Sequence, residues 1–137
     1  MKVKLSDIID AIEMTDQYSE GFLDKETGQI EWTSDMTMTR KEIEEIRDRL
    51  DEHGFYRLPT SYDIREYDIM EEFVGNHTGS VLESLSSAIR GKGAFRRFKD
   101  GINRLGIEQD WYDYQAKAYR RIAIEWCEEN GIEYEED

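Results

Sequence analysis

One cysteine, one proline and two histidines are all that this 137-residue chain contains of three residue types that often fix a structure or a chemistry. The lone thiol, Cys127, has no internal disulfide partner; it fits a reducing cytoplasm and packs as a small apolar residue of a helix. His53 and His77 are isolated, neither four residues from another histidine nor beside a cysteine, so no transition-metal site is expected. The acidic runs lack the alternate oxygen positions and central glycine of a calcium loop. No serine or cysteine stands in a nucleophile elbow, and neighbouring acids such as Glu71 and Glu72 diverge on a helix, so catalytic residues are not nominated. No cofactor is implied. Long apolar runs are missing too: the opening MKVKLSDIIDAIEM is broken by Asp7, Asp10 and Glu13, which excludes a signal peptide or a membrane span there.

Positive charge is the other scarcity. Eighteen Lys and Arg face 32 Asp and Glu, a net charge of -14, which argues against general binding to nucleic acid or anionic membrane. What is present is enough apolar and aromatic surface, 38% and 12% of residues, to exclude the disordered class. A chain this long buries about two-thirds of its unfolded surface, and one domain over residues 1–137 is expected.

Periodicity supplies the elements. Met1, Val3 and Leu5 alternate with Lys2 and Lys4 as a short strand, and Ser6 with Asp7 then caps a helix carrying Ile8, Ile9 and Ile12. Phe22-Leu23 and Ile30 to Trp32 flank Asp24-Lys25-Glu26-Thr27-Gly28, a hairpin signal. Thr39 and Glu42 have capping-box spacing before a helix that Gly54 stops, and Phe55 to Leu58 is an edge strand ending at Pro59. Thr60 and Ser61 open a third helix bearing Ile69, Met70, Phe73 and Val74, which breaks between Gly75 and Gly79. Ser80 and Glu83 suggest another capping box for a fourth helix running to about Arg90. After Gly91-Lys92-Gly93, a fifth helix carries Phe95, Phe98, Ile102 and Leu105 on one side and stops at Gly106. The last helix runs from about Asp110 to Asn130, followed by a short strand at Ile132 to Tyr134 and a frayed acidic end. The expected fold class is α+β, a mainly helical single domain with a small antiparallel sheet of the N-terminal strand, the hairpin and the 55–58 or 132–134 segments.

Charge sign varies sharply along this pattern. Residues 90–104 carry Arg90, Lys92, Arg96, Arg97, Lys99 and Arg104 against Asp100 alone, a balance of +5, whereas the rest of the chain stands at -19. At about 100° per residue, Arg96, Arg97 and Arg104 lie opposite the apolar side of the fifth helix. Gly91 and Gly93 before the helix start free the backbone to turn N–H donors toward an anion. The segment follows a helix and lacks the Lys-Ser/Thr of a P-loop, so it is no nucleotide fold signature. The anion-binding candidates are therefore Arg90, Lys92, Gly93, Arg96, Arg97, Lys99 and Arg104. The competing structural explanation is that these cations neutralise the acidic helices around them.

The segment Gly91 to Asp100, GKGAFRRFKD, together with MKVKLSDIIDAIE, YDIREYDIMEEF and IAIEWCEENGIEYE, resembles a family of small acidic bacterial proteins catalogued only as an uncharacterised protein family. The likeness covers most of the chain. It implies a bacterial, intracellular, free-standing domain and brings no catalytic residues. The functional expectation is a cytoplasmic, non-enzymatic binding or regulatory module whose residues 90–104 recognise an anion, a phosphate-bearing ligand or an acidic protein segment, with no membrane contact and no extended nucleic-acid binding. The alternatives are an antitoxin-like or nucleic-acid-mimicking inhibitor of a basic protein partner, and an enzyme acting on a phosphorylated small molecule.

Overall fold

The first helix begins two residues earlier than the Ser6 cap implies. In the computed structural model, which describes residues 1–137, strand β1 (Lys2–Lys4) passes directly into helix α1 (Leu5–Met14), so Ser6 sits inside the first turn. The anion that satisfies this helix start comes from the other end of the chain: Ser6 N and Oγ donate to the Asp137 carboxylate at 3.0 and 2.5 Å. The acidic end is accordingly not frayed. Strand β5 (Glu133–Glu135) pairs parallel with β1, Val3 opposite Tyr134, and Lys2–Glu135 and Arg120–Glu136 ion pairs flank it.

The hairpin forms as expected. Strands β2 (Ser19–Asp24) and β3 (Ile30–Ser34) are antiparallel, joined by a turn in which Gly28 takes φ +72°. Asp24 organises that turn, its Oδ1 accepting from the Glu26 and Thr27 N–H groups at 2.8 and 3.0 Å. Helix α2 (Arg40–His53) starts at the Thr39–Glu42 capping box, and β4 (Phe55–Arg57) adds to the far edge of β2. The sheet order is β3-β2-β4, a small antiparallel sheet. The N-terminal strand is not part of it, because a parallel pair needs a long connection that no local pattern announces. Gly21 on β2 is closely packed: a Cβ there would meet Leu58 Cδ1 at 2.8 Å and the Trp32 ring at 3.1 Å.

The expected third helix is two. Helix α3 (Ser61–Ile64) stops at Arg65, which adopts left-handed φ of 56°, and α4 (Glu66–Gly75) restarts beyond it. Helix α5 (Gly79–Ala88) begins at Thr78 and makes no Ser80–Glu83 capping box, since Ser80 is already helical. Helices α6 (Ala94–Arg104) and α7 (Glu108–Glu129) complete the chain, and the class is α+β and mainly helical.

The residues gather into two compact units, Met1–Ile64 with Tyr119–Asp137, and Arg65–Ala118. In the first, Leu5, Ile8, Phe22, Leu23, Leu50, Ala123 and Cys127 are fully buried, and Trp126 Nε1 donates to the Arg57 carbonyl at 2.9 Å. The second is centred on Phe73, whose ring meets Phe98, Trp111 and Tyr114 at centroid distances of 5.9, 5.3 and 5.5 Å. Such tilted and edge contacts contribute about 0.5–1.5 kcal/mol each beyond area burial. Charge divides unevenly: the first unit holds 10 basic and 23 acidic residues, a balance of -13, and the second 8 and 9, a balance of -1.

Candidate functional site

All seven anion-binding candidates fall in the second unit, and the structure separates them by role. Five residues, Ile89 to Gly93, join α5 to α6, and Gly91 and Gly93 take φ of +74° and +77°, a conformation L side chains rarely adopt. Arg97 locks this turn. Its Nε donates to the Ala88 carbonyl at 2.8 Å, Nη1 to the Lys92 carbonyl at 2.5 Å and Nη2 to the Arg90 carbonyl. One guanidinium thus ties down the last carbonyl of α5 and two carbonyls of the turn, a use that suits its rigid fork of donors. Gly93 is needed for the same reason, because a Cβ there would meet Arg97 Nη1 at 3.0 Å. Arg104, two turns on, donates to Ser84 Oγ on α5 at 3.3 Å. Arg97 and Arg104 therefore share the flank of α6 that faces α5.

The opposite flank differs from the sequence expectation. Ala94, Phe98, Gly101 and Ile102 form the buried side, but Phe95, expected in the core, is 46% exposed. The wheel explains this: with Phe98 and Ile102 central, Phe95 lies at the edge of the apolar arc, next to Lys99. Its ring meets Tyr67 of α4 edge-on at 6.4 Å, and the Tyr67 hydroxyl donates to the Ile89 carbonyl at 2.8 Å. Lys99 Nζ stands 5.8 Å from the Tyr112 ring centroid. Between the flanks, Arg96 projects outward with Asp100 as its acidic neighbour on the helix.

None of the six cations of residues 90–104 is in an ion pair. Elsewhere seven of twelve Lys and Arg residues are paired, Arg49–Glu31 at 3.0 Å being the tightest. The cluster thus makes no close ion pair, although within its unit 8 basic residues nearly offset 9 acids. Burial pushes the Glu66 carboxyl up, and the Gln115 amide and the Lys99 charge draw it back; Glu71 lines a cleft of about 270 Å³ with Tyr67 and Arg90.

A second polar constellation, in the first unit, was invisible to sequence spacing. His53 at the end of α2 donates from Nδ1 to Asp24 Oδ2 at 2.8 Å, and its Nε2 lies 3.3 Å from Glu26 Oε2. The Asp24 hydrogen bond raises His53 above its ordinary value, aided by the charges of Asp24, Glu26 and Glu52 against the effect of burial. Burial alone would raise Asp24, but His53 and the Thr27 and Glu26 N–H groups hold it lower. With the partners 29 positions apart, only the turn signal at Asp24 was legible. A larger cleft in this unit, about 570 Å³ and walled by Ile8, Ile30 and Trp32, has Lys2 and Lys4 balanced by Asp7 and Asp10, which gives its ligand no sign. No helix is long and apolar enough to cross a membrane, and no three His, Cys, Asp or Glu side chains are grouped to hold a metal ion.

Comparison with known proteins gives a match over residues 1–137 to the model of an uncharacterised protein family, UPF0158. No curated protein and no solved structure matches the chain.

Proposed function

We propose that this chain, which belongs to the uncharacterised protein family UPF0158, is a binding or regulatory module that recognises a phosphate-bearing anion. Arg90, Lys92, Arg96 and Lys99 supply the recognising charge, and Arg97 with Gly93 holds the turn that presents the first two. The carrying observation is that these cations lack carboxylate partners in a chain with 14 more acids than bases. Exposed ion pairs are cheap to form, worth about 0–1 kcal/mol, so a cation cluster without them leaves its charge available to a ligand. The face is a helix surface with a shallow cleft of about 270 Å³ beside it. That is below the roughly 300–1,000 Å³ of sites enclosing a small molecule, which favours a partner laid across the face over an enclosed substrate. The buried Cys127 suits the cytoplasm as its setting.

Calorimetric titration with inorganic tripolyphosphate at low salt tests this reading. Arg96→Glu should weaken binding about tenfold or more, the scale of one charge-assisted contact, and leave Tm within about a degree. Binding indifferent to Arg96→Glu, or no binding by the native protein, rejects the assignment.

A further inference from the structure

Resting on that anion-binding reading, we infer that the partner is a short single-stranded nucleic-acid segment, one base of which stacks on Phe95 while its phosphates lie along Arg90, Lys92, Arg96 and Lys99. The new observation is that three of the five exposed aromatic side chains stand at this helix, Tyr18 and Tyr62 being the other two. Phe95 is the one phenylalanine of the chain with an exposed side chain, and Tyr67 and Tyr112 beside the same helix are 39% and 45% exposed. Cations stand among these rings: Lys99 lies over Tyr112 at 5.8 Å, Arg90 and Tyr67 line one cleft, and Phe95 lies beside Lys99 on the helix. A phosphate alone requires no ring, and a phosphopeptide requires none at these positions. Exposed π-faces interspersed with cations are what an unpaired nucleotide uses, since any base can stack and every linkage carries a charge.

Double-stranded partners do not fit. The face carries one helix of 11 residues, about 16 Å long, with Asp100 at its centre and -14 on the whole chain. Two or three nucleotides can follow it before meeting repulsion, so the segment is a terminus, a loop or a gap.

The probes are dodecathymidylate, an abasic dodecamer of equal charge, and a singly phosphorylated serine peptide, each measured by fluorescence anisotropy. Dodecathymidylate should bind about tenfold more tightly than the abasic strand, the scale of one stacked base. Phe95→Leu, which keeps the apolar contact and removes the π-face, should erase that difference without changing abasic binding, and Phe95→Trp should restore it. Arg96→Glu should weaken both strands about tenfold. With two or three phosphates engaged, log K against log salt should fall with a slope of about -2. Equal affinity for the two strands, both sensitive to Arg96→Glu, overturns the stacked base and leaves the anion site standing. Tighter binding of the phosphopeptide likewise overturns the nucleic-acid assignment alone. Strand binding that ignores Arg96→Glu, or no binding of any probe, overturns both readings.

Discussion

Asp24 combines three demands on one carboxylate: it is 1% exposed, it accepts two backbone N–H groups of the hairpin turn, and it accepts a proton-bearing nitrogen of His53. A buried charge persists only where its lone pairs are met, and here all the donors lie within 3.0 Å. The pair titrates in opposite senses. His53 is raised above its ordinary 6.5, so its contribution is complete below that pH and fades as pH rises through the higher folded value. Asp24 is lowered below its ordinary 3.8, so its contribution is complete above that pH and fades on acidification through the lower folded value. The bond is fully developed between the two ordinary values. Denaturation midpoints should therefore fall as pH is raised from about 6 to 8. Asp24→Asn should flatten that decline, and at pH 6 lower stability by about 1–3 kcal/mol, because His53 and the two turn N–H groups lose a charged acceptor. A midpoint rising over the same interval in the native protein would contradict the assignment of His53 as the titrating group.

Among the elements, those whose signals are local were legible and those whose partners are distant were not. The capping box of α2, the hairpin turn and the glycine stops all depend on residues within about five positions, and the structure has them where spacing put them. The split at Arg65 was hidden because a left-handed arginine carries no sequence signal, and the β1–β5 pair because strand periodicity names no partner. In the candidate site, the charge was legible and the division of labour was not. Arg96 and Arg97 look equivalent as exposed cations, yet only Arg97 reaches three carbonyls of the α5–α6 connection. Truncating it should cost about 1 kcal/mol, since water can replace donors at an exposed turn. The larger consequence is local: Arg97→Ala should accelerate amide hydrogen exchange of residues 90–93 and weaken tripolyphosphate binding, though Arg97 touches no ligand. Arg97→Lys should not rescue either effect, because one ammonium cannot span three acceptors. Unchanged exchange at the turn in Arg97→Ala would leave the guanidinium without this positioning role.

For the whole molecule, the decisive quantity is the division of charge, -13 on the residues of one unit and -1 on those of the other. Repulsion among excess carboxylates opposes compaction and is screened by salt, with a Debye length of about 10 Å at 0.1 M. Salt also weakens exposed ion pairs, so the sign needs deciding. Even if every cation of the first unit were paired, 13 of its 23 acids would remain unpaired, and exposed pairs contribute about 0–1 kcal/mol each. Repulsion therefore wins there, and salt should stabilise that unit. In the second unit 8 bases nearly balance 9 acids, and its aromatic cluster of Phe73, Phe98 and Trp111 is insensitive to screening. Raising sodium chloride from about 20 to 200 mM should thus slow amide exchange in β2 and β3 and leave α4 to α6 nearly unchanged. The same addition should weaken tripolyphosphate binding at Arg90, Lys92, Arg96 and Lys99, so stability and affinity move in opposite directions with ionic strength. Exchange that slows equally in both units would show that screening acts on the chain as a whole, and the segregation of charge would then explain nothing about its stability.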